Sequence, residues 1–594
     1  MIAKRSPLKP ARLVGFLFAA LLVTGCAPPP PAGLVALQRL TTDERPFDRV
    51  EFAFHLPGFT GNPFDPAELD VTGEFLGPDG KMLVVPAFWH QPFNRAVSNG
   101  VEVLTRAGEP HWRLRFAANA AGDWRVRVQA RDATGRTAAH EARFTVAAPD
   151  QPRSGFVRVH ANRRNFATDD GRPYVPVGLN VCWFTSMERG TQDYEEWFAR
   201  LQEQGGNYAR VWLARWRSLG LWWQDTGTTN YTARLDRAFL MDRILELAEQ
   251  HDIRLLPTLL IHRQFRTGPN GEWAGSPYNV TNGGYLEKPE EVWTSARATR
   301  DLKNYFRYCV ARWGYSTHIL GWELWNEVGW TDHYDQHCGR VSQWHGEMTC
   351  HLKSVDAFGH PVTTSSSKPI DETLFATPEL DFITLHDYWD GPQWQKKITS
   401  LTQRTLRDYG RPVLFAELGY EWRTGELSAE RDPGGLHYHL GLWAGLMTGG
   451  AGTGMGWWWQ NHFFPGGHDR WLRPVRAFAD AVPWLDKDLR PATTNDVTAS
   501  AARLEAHGYV SPRGAWLWLT DPQFGPADPK PVPHRGIRLS VKLPAGDYTA
   551  TWIHTDTGAV VARQSAPAAT GPLVLDAPAF TNDIALRLVR ATTP

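Results

Sequence analysis

The sequence predicts an α/β protein: a (β/α)8 TIM barrel, with an Ig-like β-sandwich before it and a small β-sandwich after it. Three observations carry this. Residues 155–487 alternate eight short apolar runs with helical segments, the pattern of a parallel barrel. Residues 45–150 show short alternating strands broken by turn clusters, and residues 490–594 return to the same pattern. At 594 residues the chain is also too long for one core.

The N-terminus precedes all of this. Lys4, Arg5, Lys9 and Arg12 form a positive region ahead of LVGFLFAALLV (13–23), an apolar run too short to span comfortably as a mature helix. It ends in Val23-Thr24-Gly25-Cys26, which resembles the bacterial lipobox. The resemblance implies a signal peptide over 1–26, lipidation of Cys26 and anchoring to a membrane of the bacterial cell envelope. An ordinary secretory signal cut nearby is the alternative. Residues 27–44, with four prolines at 28–31, read as a stiff linker. Cys182, Cys309, Cys338 and Cys350 make no disulfide framework, and only Cys338–Cys350 closes a short loop.

In the first sandwich, VEFAFH (50–55), WRLRF (112–116) and WRVRV (124–128) alternate, and GPDG (77–80) is a turn. AAPDQP (147–152) links it to the barrel. Barrel strands are expected at 175–181, 208–213, 253–260, 319–325, 361–364, 382–386, 413–417 and 455–459. Between them, Tyr194, Trp197, Phe198 and Leu201 share one helical face. Further helices are expected near 234–250, 289–313, 341–357, 394–409 and 437–448, and only the link between the fifth and sixth strands lacks one. A doubly wound open sheet is the alternative. AWLWL (515–519) and IRLSV (537–541) open the last sandwich.

Composition narrows the function. The 63 basic and 63 acidic residues cancel, which argues against a nucleic-acid binder. The 28 tryptophans fit either large aromatic cores or stacking platforms for flat apolar faces such as sugar rings.

The chemistry concentrates at the strand tips. GWELWNEV (321–328) ends the fourth strand with Glu327 at its tip and Glu323 two pleats deeper. Phe415-Ala416-Glu417 ends the seventh, so Glu327 and Glu417, 90 residues apart, can face one cleft across the barrel. Two facing carboxylates are what glycosidic hydrolysis requires: one protonates the leaving oxygen, and the other attacks the anomeric carbon or activates water. Glu323 is expected inside the barrel, paired to a strand-interior group.

The barrel resembles the clan A glycoside hydrolases, most closely family 5, which holds cellulases and mannanases. Asn326-Glu327 matches the clan's strand-four acid/base motif, and Glu417 its strand-seven nucleophile. The resemblance implies that Asn326 bonds a sugar 2-hydroxyl and that Arg210, on the second strand, lowers the pKa of Glu417. It implies that His386 and Tyr388 form the strand-six pair, with Tyr388 bonding the nucleophile. His262 falls where a substrate-contacting histidine often sits, and Trp457-Trp458-Trp459 where the platform tryptophan sits. Alternation favours Trp457 and Trp459. Leu418-Gly419-Tyr420 and the long loops after the second and third strands depart from the family pattern and leave the sugar open.

Two patterns carry other chemistry less well. GAGTGMG (450–456) follows a helix and precedes a strand, the reverse of a nucleotide loop. His333 and His337 with Asp332 and Asp335 have helical metal spacing but lie in the loop after Glu327. The expectation is therefore a retaining β-glycoside hydrolase acting on a polysaccharide or oligosaccharide, mannan- or glucan-like, with no metal and no cofactor. A non-catalytic glycan-binding surface protein and a transglycosylase are the alternatives.

Overall fold

The structure is a computed structural model of the chain and describes Gly33 and residues 35–215, 219–568 and 571–591. Cys26, the signal segment before it and the prolines 28–31 lie outside the described residues. Among the described residues no helix is long and apolar enough to cross a membrane.

The molecule is a mixed α/β protein with many sheets. Its N-terminal part holds two four-stranded antiparallel sheets. One contains Val35–Arg39, Arg49–His55, His111–Ala117 and Phe88–His90; the other contains Thr137–Val146, Gly122–Asp132, Leu69–Leu76 and Met82–Pro86. Leu69–Leu76 alternates buried and half-buried positions along its length, as a strand with one face on a core must. Phe75 of one sheet stacks on Phe116 of the other at 3.9 Å. The linker read over 27–44 is shorter than expected. Val35–Arg39 pairs antiparallel with Arg49–His55 and belongs to the sheet.

The central part is a circuit of parallel strands. Gly178–Asn180, Tyr208–Trp212, Arg254–Ile261, Trp322–Asn326 and Val362–Thr363 pair in that order. Ile383–Tyr388 pairs with Val413–Gly419. Single bridges from Ser365 to Thr384, Leu418 to Gly456 and Gly456 back to Leu179 join the remaining gaps. The strands are buried almost throughout, which is why they read as continuous apolar runs. Gln192–Glu203, Leu235–Gln250, Ala296–Trp313, Tyr334–Val355, Trp394–Tyr409 and Leu436–Met447 run between them. The link between the fifth and sixth strands holds only the short helix Glu372–Phe375.

The eighth segment departs from the sequence reading. Met455 and Trp457 donate to the carbonyls of Phe415 and Leu418, at 2.9 and 3.1 Å. The chain then turns left-handed at Trp458 (φ 75°) and coils through Trp459–Phe463. The glycines before it are packing devices. A Cβ on Gly454 would lie 2.1 Å from Leu418 Cδ1, and one on Gly452 would lie 2.5 Å from the Pro176 carbonyl.

Cys338 and Cys350 lie on one helix, Tyr334–Val355. Twelve residues of helix separate them by ~18 Å, which rules out a bridge.

The C-terminal part pairs a six-stranded antiparallel sheet with a three-stranded one. It has its own apolar core around Leu517, Leu539, Trp552 and Leu586. The N-terminal sheets share one continuous core with the parallel circuit, and Tyr509, Trp516 and Trp518 of the C-terminal part join it.

Candidate active site

The C-terminal ends of the parallel strands converge on a cavity of about 750 Å³. It is lined by His262, Glu327, His386, Tyr388, Glu417 and Trp457, six residues that the sequence reading placed in the cleft. Trp183, Trp212, Trp330, Trp389, Trp422 and Trp458 line it as well.

Glu327 is placed by a turn. It follows the strand Trp322–Asn326 in a left-handed conformation (φ 48°), a strained state for a non-glycine residue. Its N–H donates to Ser365 Oγ at 3.0 Å. The same Ser365 hydroxyl donates to Glu323 Oε1 at 2.7 Å, so one serine ties together both glutamates of GWELWNEV. The Glu327 carboxyl is 15% exposed, with Oε1 3.2 Å from His386 Nδ1 and Oε2 3.8 Å from His262 Nδ1. Burial with no cation bonded to it pushes its pKa up to about 7.

Glu417 is placed by a bulge. The pairing of the sixth and seventh strands slips between Leu385 and His386, leaving Ala416 unopposed. Asn180 Nδ2 donates to the Ala416 carbonyl at 2.8 Å and holds the bulge. Arg210 Nη1 then donates to Glu417 Oε1 at 2.8 Å, and the Tyr388 hydroxyl donates to Oε2 at 2.7 Å. Tyr388 thus makes the contact expected of it.

Arg210 acts on Glu417 in the expected direction, lowering its pKa, but the net shift is upward. Burial raises the Glu417 pKa, Glu327 adds to the rise, and His386, Arg210 and Tyr388 only partly oppose it. The physical reason is burial, which outweighs the cation. Arg210 is also shared, donating to Glu323 one layer below the cleft through Nε at 2.6 Å and Nη2 at 3.0 Å. Burial alone would raise Glu323 too, but Arg210 prevails there, and Thr258 Oγ1 also donates to it at 2.7 Å. Glu323 is therefore a buried, charged support, as its depth in the strand implied.

Arg210 lies beside Glu417 as expected, but three site residues do not line the cavity. Arg210 and Asn326 are fully buried beneath the cavity and do not line it. Asn326 accepts from Arg210 Nη2 at 2.6 Å, and its Nδ2 lies 3.2 Å from His262 Nδ1. Trp459 is fully buried against Trp183 and Trp197 instead of facing the cleft. Strand alternation fails there because the chain leaves the extended state at Trp458, which takes the cleft position and donates to the Glu421 carbonyl at 2.9 Å.

Both histidines are held neutral. Burial lowers His386 to about 4 and His262 to about 3. Among the described residues, Glu327, His386 and Glu417 are the only group whose spacing could hold a metal ion, their ligand atoms lying within 4.8 Å of one another. The metal-spaced residues after Glu327 disperse instead: Asp332 accepts from Thr267, and Asp335, which lies with His337 on the helix Tyr334–Val355 and not in a loop, pairs with Lys368.

Sequence reasoning missed Ser365, Asn180 and the aromatic wall. Asn180 ends the short strand Gly178–Asn180 and Ser365 makes a single bridge after Val362–Thr363, and neither carries a motif. Trp330, Trp389 and Trp422 belong to loops whose course no periodicity reveals.

Comparisons with known proteins agree with this geometry. Residues 44–131 match a family described as a domain of unknown function (DUF5060). The chain is 24% identical over 341 residues to mannan endo-1,4-beta-mannosidase A of Hypocrea jecorina, covering 53% of this chain and 72% of that protein. It is 24% identical over 297 residues to a probable mannan endo-1,4-beta-mannosidase F of Neosartorya fischeri, covering 44% of this chain but only 61% of that protein. A putative glycoside hydrolase from Bacteroides vulgatus superposes with a TM-score of 0.59 at 16% identity, covering 93% of this chain and all of that one. A family 5 glycoside hydrolase from the same species superposes with a TM-score of 0.51 at 12% identity, covering 74% and 94% of the two chains. The chain is thus a distant relative of glycoside hydrolases and shares the fold of solved ones.

Proposed function

We propose that this protein is a retaining β-glycoside hydrolase acting on a mannan- or glucan-like polysaccharide or oligosaccharide. Its cleft lies at the mouth of a (β/α)8 barrel flanked by two β-sandwiches. One observation carries the reading: two glutamates face each other across a 750 Å³ cavity, with carboxylate oxygens within 4.8 Å, in unequal surroundings. Carboxyl groups about 5–5.5 Å apart suit double displacement, whereas inversion needs room for a water between them.

The unequal surroundings assign the roles. Glu327, pushed up to about 7, keeps its proton near neutrality and donates it to the glycosidic oxygen as that bond breaks. Glu417, with Arg210 and Tyr388 donating to it, attacks the anomeric carbon as a carboxylate and forms a glycosyl ester. Glu327, now deprotonated, takes a proton from the incoming water, whose oxygen displaces Glu417. Trp183, Trp212, Trp457 and Trp458 supply flat faces for sugar rings.

The test is sugar release from a panel of β-mannans, β-glucans and exopolysaccharides, with the anomeric form of the first product followed by NMR. The reading expects retention, and a turnover loss of about a thousandfold or more in Glu327→Ala and Glu417→Ala with the fold intact. An inverted product, or near-normal hydrolysis by either variant, overturns it.

We further propose that Cys26 is lipidated and tethers the enzyme to the bacterial cell envelope. Cys26→Ala is expected to release the mature chain into the soluble fraction, read by fractionation and by the mass of the N-terminal peptide.

A further inference from the structure

The cavity rim is more cationic than a neutral glycan needs. Arg263, Arg266, Lys397 and Arg423 line it, against the carboxyl groups of Glu327, Asp387 and Glu417. Most of these cations are committed. Lys397 Nζ bonds Asp387 at 2.8 Å, Arg423 pairs with Glu421 at 2.6 Å, and Arg263 lies 3.8 Å from Glu272. Arg266 differs. Among the described residues it has no carboxylate partner, and its guanidinium lies over the ring of Trp330, 5.1 Å from the centroid.

The local chain holds Arg266 in this position. Its carbonyl accepts from Trp273 N at 3.1 Å, closing the turn that follows His262–Phe265. The next residue, Thr267, donates through N and Oγ1 to Asp332 Oδ2 at 3.0 and 2.6 Å. Those bonds stitch the loop of Arg266 to the loop that begins at Glu327 and carries Trp330. The result is a half-buried, pre-oriented guanidinium fork on the wall of the cleft, close enough for its charge to act on Glu327 and His262. Arginine presents paired donors that match a carboxylate or sulfate face to face, and such charged bonds strengthen where water is excluded.

We propose that the cleft takes a glycan bearing an anionic substituent, the carboxylate of a uronic acid or a sulfate ester, and that Arg266, held against Trp330, reads that group. This rests on the hydrolase reading of the cleft and names its substrate class.

Binding tests it apart from turnover. The Glu327→Gln variant keeps the shape of the cleft and lacks the acid proton. Titration calorimetry would compare β-linked oligosaccharides in matched pairs: a uronate-bearing form with its carboxyl-reduced form, and a sulfated form with its desulfated form. At least one anionic form is expected to bind about tenfold tighter than its partner. The pair that separates identifies carboxylate or sulfate. Adding Arg266→Gln should bring the ratio to about one, Arg266→Lys should retain part of it, and raised salt should shrink it. The proposal falls if neither pair separates, or if the preference survives Arg266→Gln. The hydrolase reading is judged separately by the wild-type protein. Cleavage without anionic preference sinks only this inference; Arg266-dependent anion binding with no cleavage of any glycan sinks only the hydrolase reading.

Discussion

At the scale of single residues, chemically identical groups are separated by what surrounds them. Glu323, Glu327 and Glu417 have the same side chain, but only Glu327 lacks a bonded cation. Its raised pKa predicts that turnover falls about tenfold per pH unit above about 7, as the acid loses its proton. A pH–rate profile checks this, and an alkaline limb displaced far above 7 would remove Glu327 from the acid role. The same shift has a stability consequence. A carboxyl group whose pKa rises from 4.5 to about 7 on folding binds more protons in the folded chain than in the unfolded one. Stability is then full below 4.5 and is lost as pH climbs through about 7, by roughly 3 kcal/mol at most. Glu327→Gln removes the buried charge. It should match the wild type in urea unfolding at pH 5 and exceed it by about 1–3 kcal/mol at pH 8. Equal stabilities at both values would contradict this account.

At the scale of elements, short irregularities aim the two glutamates of the cleft. The bulge at Ala416 presents Glu417, and the left-handed turn after Asn326 presents Glu327. The seventh strand is also pressed from behind by the glycine loop. Gly454→Ala would drive a Cβ against Leu418 Cδ1 at 2.1 Å and the Gly441 carbonyl at 2.9 Å. We expect a loss of about 1–3 kcal/mol, and turnover reduced more than stability accounts for, because Leu418 follows Glu417 directly. Thermal unfolding beside kinetics on the same sample tests it; an unchanged melting temperature would show that Leu418 moves aside freely. The helices and most strands were legible in the sequence because their apolar spacing is regular. The bulge, the turn and the coil at Trp459–Phe463 were not, since each breaks a periodicity instead of following one.

At the scale of the molecule, the N-terminal sheets brace the parallel circuit. Arg115 reaches out of its sheet to Asp242 on a helix of the circuit, with Nη1 at 2.9 Å and Nη2 at 3.0 Å. Arg312 of the next helix grips the same carboxylate at 3.0 and 2.8 Å. Burial alone would raise the Asp242 pKa, but the two arginines hold it well below the usual carboxylate range. Asp242→Ala leaves the buried Arg312 without a carboxylate and Arg115 with Glu51 alone, and should cost about 3–5 kcal/mol. Urea unfolding measures the loss, and limited proteolysis should cut the N-terminal part first. A variant as stable as the wild type would mean that the shared apolar core alone joins the two parts.

The sequence by itself determined the order of elements, the placing of Glu327 and Glu417 at strand tips that share one cleft, and the likeness to glycoside hydrolases. These follow from apolar spacing and from residues at strand tips, which local pattern encodes. Tertiary structure alone decided that Arg210 serves Glu323 as much as Glu417, and that Ser365 ties two glutamates together. It also decided that Trp458, not Trp459, faces the cleft, and that Arg266 lies on Trp330. These depend on contacts between strands and loops far apart in the chain. Burial and shared charge, which set how each group behaves, exist only once those segments have met.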